Sequence, residues 1–280
     1  MVMRKIRIAH ILNPVNVGSE SDLHIAQPVT FQSMRNAREV ARSQCDVEFL
    51  SAQYPEDRAV VPSDFSATPD LERSMMDFGA FQKPKKLPVL KDILDRLYDA
   101  SDAEYFIYTN VDIALMPNFY NMVCAMIASG LDAFVINRRT ISTRFTTVDA
   151  LPFMFAEAGV PHGGYDCFIF RREHYPHYDL GRICIGAMAV GSALLLNMVC
   201  FANQFYEARD LHLTFHLGDS RIWRDPAVDD IQAFNENEFG QLARRLTPKF
   251  DPDRLPQVGQ SWLNEIFQKI REFHAGKGGS

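Results

Sequence analysis

The chain has 280 residues, 47% of them hydrophobic, enough to bury a large core in one or two domains. Its net charge of −6 gives no basic footprint, which argues against nucleic acid as a partner but leaves an anionic small molecule open to a local group of arginines. The five cysteines, Cys45, Cys124, Cys167, Cys184 and Cys200, are odd in number and scattered, without a Cys-x-x-Cys, so a disulfide framework or zinc knuckle is disfavoured and a reducing, cytoplasmic compartment is expected.

The start, Met1 to Ile8, is too short and too charged for a signal peptide, and Lys5 to Leu12 reads as a first strand closing on the turn Asn13-Pro14-Val15-Asn16. Pro28 to Ala41 reads as a helix and Val47 to Leu50 as a short strand. Tyr54 to Pro88 carries five prolines and many charges, a long excursion with one helix around Asp70 to Phe78; loops of that length are usually functional or mobile. Val89 to Tyr98 is amphipathic, with Leu90, Ile93, Leu94 and Leu97 at helical spacing.

The apolar run Tyr105 to Tyr108 then breaks into Thr109-Asn110-Val111-Asp112, and a helix is expected from Asn118 to Ser129. If strand geometry persists, Asn110 and Asp112 point the same way, where Asp112 can offer a hard oxygen to a divalent cation and Asn110 an amide to a sugar hydroxyl or metal-bound water. The same pair serves equally well to cap the turn into the next helix. A strand at Ala133 to Ile136 ends in Asn137-Arg138-Arg139, a paired guanidinium able to grip phosphate or simply a solvated surface pair. After a helix near Asp149 to Glu157, the turn His162-Gly163-Gly164-Tyr165-Asp166 precedes a strand Cys167 to Phe170. Its glycines allow close approach to a ligand, and Asp166 stands either as a general base at the rim or as a cap of its own turn.

Ile183 to Tyr206 contains no charge and is long enough to span a bilayer. Asn197, Asn203 and Gln204 in its second half, and the lack of other spans, favour a helix in the protein core, with a peripheral membrane contact left open. Leu211 to Leu217 alternates as a strand, with His212, Thr214 and His216 on one face, which rules out the i, i+4 zinc pair that a helix would make. One of these histidines can complete a metal shell with Asp112, or serve as a hydrogen-bonded core residue. A last amphipathic helix is expected at Ser261 to Phe273, before a flexible tail at 276–280. Strands alternating with helices make the fold class α/β, with a mainly parallel central sheet flanked by helices, and ligands in such sheets bind at the carboxyl ends of strands.

In order of elements, residues 5 to 225 resemble the GT-A glycosyltransferases, a nucleotide-diphospho-sugar transferase superfamily, with residues 226–275 as a helical extension packed on a Rossmann-like domain spanning 1–225. The resemblance rests on Asn110-Val111-Asp112 at a strand end, the later Asp166, and His216 in His216-Leu-Gly-Asp-Ser-Arg-Ile-Trp223. It implies a metal-dependent, hexosyltransferase-like enzyme using Mn²⁺ or Mg²⁺ held by Asp112 and His216. The donor would be a nucleoside-diphosphate sugar, UDP- or GDP-linked by preference, bound by Asn13, Asn110, Arg138, Arg139 and Arg221. The acceptor would be a glycan or small molecule, deprotonated by Asp166 with inversion. The departure from the family pattern is Asn110, which replaces the first Asp of Asp-x-Asp. Two other readings stay open. A sugar nucleotidyltransferase is disfavoured by the single glycine in Asn13 to Gly18, and a nucleotide-sugar or carbohydrate-binding protein without turnover is made tenable by Asn110.

Overall fold

The computed structural model describes residues 4–218 and 229–251. Strand β1 (Ile6–Leu12) leads to helix α1 (Leu23–Ala41), β2 (Cys45–Ser51), β3 (Ser66–Ala67), α2 (Leu90–Ala100), β4 (Tyr105–Thr109) and β5 (Ala114–Leu115). Then come α3 (Phe119–Ala128), β6 (Ala133–Ile136), β7 (Arg139–Ile141), α4 (Leu151–Ala156), β8 (Val160–Pro161) and β9 (Cys167–Arg171). The described chain continues through α5 (Val190–Phe201), β10 (Phe205–Ala208), β11 (Thr214–Leu217) and α6 (Asp229–Leu246).

Seven strands form the central sheet in the order β10-β6-β9-β4-β1-β2-β3. All neighbours are parallel except β9, which runs antiparallel to β4 on one side and β6 on the other. The alternation of strand side chains explains the two layers that cover it. Phe106 and Tyr108 of β4 face the layer built by Leu90, Ile93 and Leu97 of α2 and the apolar face of α5. Tyr105 and Ile107 face Phe31 and Met34 of α1 and Phe119 and Val123 of α3. Because both faces are buried, β4, β6 and β9 read as unbroken apolar runs. A second sheet, β5-β11-β7-β8, stands on α1 through a smaller cluster of Val29, Ala114, Ile141 and Phe215.

Several elements differ from the sequence expectation. Helix α1 begins at Leu23 and carries Pro28 inside it. Its early turns are held by Gln27, whose side chain accepts from the Val15 amide and donates to the Val15 and Leu23 carbonyls. The excursion is pinned to the body: β3 extends the sheet, Tyr54 donates to the Arg73 carbonyl at 2.8 Å, and only Met75–Phe78 of the expected helix forms, as one 3-10 turn behind a Ser74–Asp77 capping box. The charge-free run does not make one long helix. Helix α5 has 12 residues, about 18 Å at helical rise, and its buried Asn197 ties back to the Asp179 backbone. No helix among the described residues is long and apolar enough to cross a membrane. The end of the run becomes the edge strand β10, and α6 packs Leu242, Ala243 and Leu246 into the same cluster as α5. The alternating strand starts only at Thr214, because His212 takes a positive φ of 44° and leaves the shared face. The helix expected at Ser261 to Phe273 lies outside the described residues.

Beneath the carboxyl end of β4, fully buried His10 is hydrogen-bonded to Tyr120 Oη at 2.8 Å and Thr109 Oγ1 at 2.9 Å. Burial holds its pKa down to about 3, so the folded chain keeps it neutral while the unfolded chain protonates below about pH 6.5. The unfolded state therefore binds the additional proton, and this contribution is complete above pH 6.5 and lost as pH falls towards 3. Urea unfolding at pH 5.0 against pH 7.5 should show about 2 kcal/mol lost through this group, and His10→Gln should remove that part of the difference.

Candidate functional site

A cavity of about 1070 Å³ opens at the carboxyl ends of β4 and β6, where β9 begins. The strand register builds its floor. Thr109 of β4 and Ile136 of β6 both pair with Cys167 of β9, so one residue further Asn110 and Asn137 flank Asp166 from opposite sides. The β4 strand ends at Thr109, and the next residues turn, with the Ile113 amide donating to the Asn110 carbonyl at 3.1 Å. Both Asn110 and Asp112 nevertheless line the cavity, and neither caps α3, which starts without a side-chain cap.

Each polar group at the floor has a defined orientation. Tyr108 Oη donates to Asn110 Oδ1 at 3.1 Å, which directs Asn110 Nδ2 towards Asp166 Oδ1 at 3.4 Å. Arg138 Nη1 lies 3.3 Å from Asp166 Oδ2, in an ion pair whose side chains are 12% and 11% exposed. Burial pushes the Asp166 carboxyl up; the Arg138 charge opposes this, Asp112 adds to it, and the balance is upward. Asn137 donates to the His162 carbonyl at 3.4 Å and keeps its buried Oδ1 without a partner.

The second sheet delivers His216. In the antiparallel β5–β11 pair, Phe215 lies opposite Ala114, so His216 comes to the level of the 112–113 turn. Its Nδ1 donates to the Gly218 carbonyl at 2.7 Å, which leaves Nε2 facing Asp112 Oδ2 at 3.1 Å. Two acceptors cannot face each other at that distance without a cation between them, so the pair holds either a proton on Nε2 or a metal ion. Burial works against both charges; their mutual hydrogen bond and attraction prevail, lowering the Asp112 carboxyl and raising the His216 imidazole. Asp112 Oδ1 is buried and unpartnered. A carboxylate oxygen with no donor, beside an imidazole of fixed tautomer, suits a hard divalent cation such as Mn²⁺ or Mg²⁺. Among the described residues no cluster of three or more His, Cys, Asp or Glu side chains is placed to hold such an ion.

The remaining candidates lie elsewhere. Arg139 is turned to the loop before β8, donating through Nε to the Ala158 carbonyl and through Nη2 to that of Gly159 at 3.1 Å, and it does not line the cavity. Asn13 is buried at the end of β1, donating to the Ala52 carbonyl at 2.6 Å with Oδ1 unpartnered, and it too is outside the cavity lining. Arg221 falls outside the described residues. Several parts of the lining were not foreseen from the sequence: the loop Gly186 to Ser192, Gln232 of α6, the start of α1, Lys85 with Leu87, and Glu207, Arg209 and Asp210. Gly186 and Gly191, two breaks in an otherwise apolar run, were the available signal for the first.

No family model matches the sequence, and no curated protein does. Among solved structures, that of S. aureus TarS residues 1–349 in complex with UDP-GlcNAc superposes with a TM-score of 0.51 at 10% identity, covering 95% of this chain and 82% of that one. Glucosyl-3-phosphoglycerate synthase from Mycobacterium tuberculosis, with Mn²⁺, UDP and glucosyl-3-phosphoglycerate, superposes at 0.48 with 13% identity, over 86% of this chain and 80% of the other. The fold is of the GT-A type. The mixed seven-stranded sheet and its flanking helices thus agree with the expected α/β class.

The anchor of His216 tests the geometry. Gly218 has a φ of +75°, and a Cβ there would lie 2.5 Å from Thr143 Cγ2. Gly218→Ala should destabilise the chain by about 2 kcal/mol in urea unfolding. Adding Thr143→Ser should recover the steric part of that loss and leave the backbone part.

Proposed function

We propose that this protein is a glycosyltransferase that moves a sugar from a nucleoside-diphosphate donor to an acceptor hydroxyl, in a divalent-metal-dependent, inverting reaction. One observation carries the reading: the unpartnered Asp112 oxygen and the fixed His216 Nε2 meet at a cavity floored by a second, separately buried carboxylate, Asp166. Two carboxylates in different surroundings, one suited to a divalent cation and one paired with Arg138, divide the labour that sugar transfer needs. The superposition on a protein that binds UDP-GlcNAc supports a UDP-sugar as donor.

Asp112 and His216 would hold the metal, and when bound it supplies charge neutralisation for the departing diphosphate. Asp166 takes the proton from the acceptor hydroxyl through one carboxylate oxygen. Its upward shift brings its basicity nearer to neutral pH than that of an exposed carboxylate, and Arg138 opposes that shift. Asn110, held by Tyr108, orients the carboxylate. Asn137 Oδ1 is left to accept from a sugar hydroxyl.

Calorimetric titration of UDP, GDP, CDP and dTDP, with and without Mn²⁺, separates this from a fold that merely resembles a transferase. One nucleotide should bind in a metal-dependent way and lose about tenfold or more in Asp112→Ala. If none binds, the proposal falls. Asp166→Asn should retain nucleotide binding while turnover of the donor drops by roughly 10²–10⁴; binding with no turnover in the unaltered chain would instead identify a binding protein. On the acid side, kcat/KM should fall as Asp166 is protonated, at a pH above the ordinary aspartate value. Because Arg138 lowers the Asp166 pKa, Arg138→Gln should move that limb to higher pH.

A further inference from the structure

The cavity has a second wall of opposite character. Helix α5 has 12 residues and begins at Val190 behind Ala189, a residue with a positive φ of 71° and no side chain able to cap the first amides. These first residues line the cavity. They are seated tightly: at Gly191 a Cβ would lie 2.9 Å from the Tyr165 carbonyl oxygen, so only glycine lets the helix start approach the Tyr165–Asp166 loop so closely. On the other side of the helix start, Gln232 of α6 is 8% exposed, and its Oε1 accepts from the Met188 amide at 2.6 Å. That bond fixes the amide orientation and leaves Nε2, a donor, without a partner at the cavity lining. Lys85 reaches the same wall, carried by the segment whose Leu87 packs against Gly186. Backbone amides at the positive end of a helix, an unsatisfied side-chain donor and an ammonium all favour negative charge. At the floor Arg138 is paired with Asp166, so an anion other than the donor diphosphate belongs on this wall.

We propose that this wall binds an anionic group, a phosphate or carboxylate, on the acceptor, so that the transferase accepts sugars onto a hydroxyl of an anionic molecule. The inference rests on the transferase reading for the word acceptor, and the anion site itself does not. Helix α5 presents its amides to the anion, Gln232 adds a neutral hydrogen bond, and Lys85 supplies the balancing charge. The acceptor hydroxyl then extends towards Asp166 across Tyr165, the residue against which Gly191 packs.

The test is titration of inorganic phosphate, and separately of acetate, into the full chain with Mg²⁺, alone and saturated with UDP, followed by calorimetry. Two variants spare the fold. Ser192→Asp places a carboxylate in the first turn, where it favours the helix and repels an anion. Gln232→Glu keeps the acceptor for Met188 and replaces the free donor. Phosphate or acetate should bind the UDP-saturated chain, each variant should weaken that binding about tenfold, and UDP affinity should stay unchanged. Whichever of the two probes binds better names the acceptor group. Displacement of the anion by UDP would place it in the donor diphosphate site and overturn the inference. UDP binding with no response to either anion would overturn it while leaving the transferase reading intact. Anion binding that depends on both variants, without any nucleotide binding, would remove the transferase reading and with it the assignment to an acceptor.

Discussion

The direction of one strand governs the site. Because β9 runs antiparallel between β4 and β6, its amino end meets their carboxyl ends, and Asp166 is set between Asn110 and Asn137. A parallel strand of the same length would carry Asp166 to the opposite edge of the sheet, roughly 16 Å away at strand rise. The cross-strand register is over-determined, since Phe168 and Phe170 fall into one apolar layer and Cys167 and Ile169 into the other. A slip by one residue would exchange all four between layers. The position of the carboxylate is therefore secured by the core rather than by its own contacts.

The second sheet repeats this logic on a smaller scale. Antiparallel pairing of β11 with β5 brings a residue from late in the chain to the turn after β4, and parallel pairing with β7 fixes its depth. His216 and Asp112 are thus joined across 104 residues by backbone geometry, with the Gly218 carbonyl setting the tautomer. The Arg138–Asp166 pair is not a source of stability, since burial of the Asp166 charge outweighs the attraction of Arg138. The apolar layers beneath hold these groups together against that cost.

Strong local periodicity made much of the fold legible. The amphipathic α2 and the apolar β4, β6 and β9 stand close to where their patterns place them, because burial on one stripe or on both faces leaves a direct trace in composition. The strand-end positions of Asn110, Asp112 and Asp166 were readable for the same reason. What could not be read was set by long-range geometry. A run without charges does not reveal that it breaks at Ala189 into a left-handed residue, or that its end is an edge strand. Arg138 and Arg139 are adjacent and chemically alike, yet one points into the cavity and the other binds the backbone before β8, a choice made by strand alternation at the start of β7. Gln232 comes from α6, and only tertiary packing brings it to the start of α5.

The same geometry accounts for Asn110, the departure from an Asp-x-Asp pattern. Its side chain lies 3.4 Å from Asp166 Oδ1 and donates to it, with its own oxygen occupied by Tyr108. An aspartate at 110 would set two carboxylates face to face at that distance, in a buried place that already contains Asp112. Like charges so close do not ionise independently, and the pKa of one of them would rise. The rise would fall on whichever carboxylate is least well solvated, and Asp166, already shifted upward by burial, is the candidate. A protonated Asp166 could no longer accept a proton from a hydroxyl. The neutral amide supplies a donor where an acid would have supplied repulsion, and Arg138 adds a charge that favours the ionised carboxylate. The close approach of β9 to β4 thus favours a neutral donor at position 110.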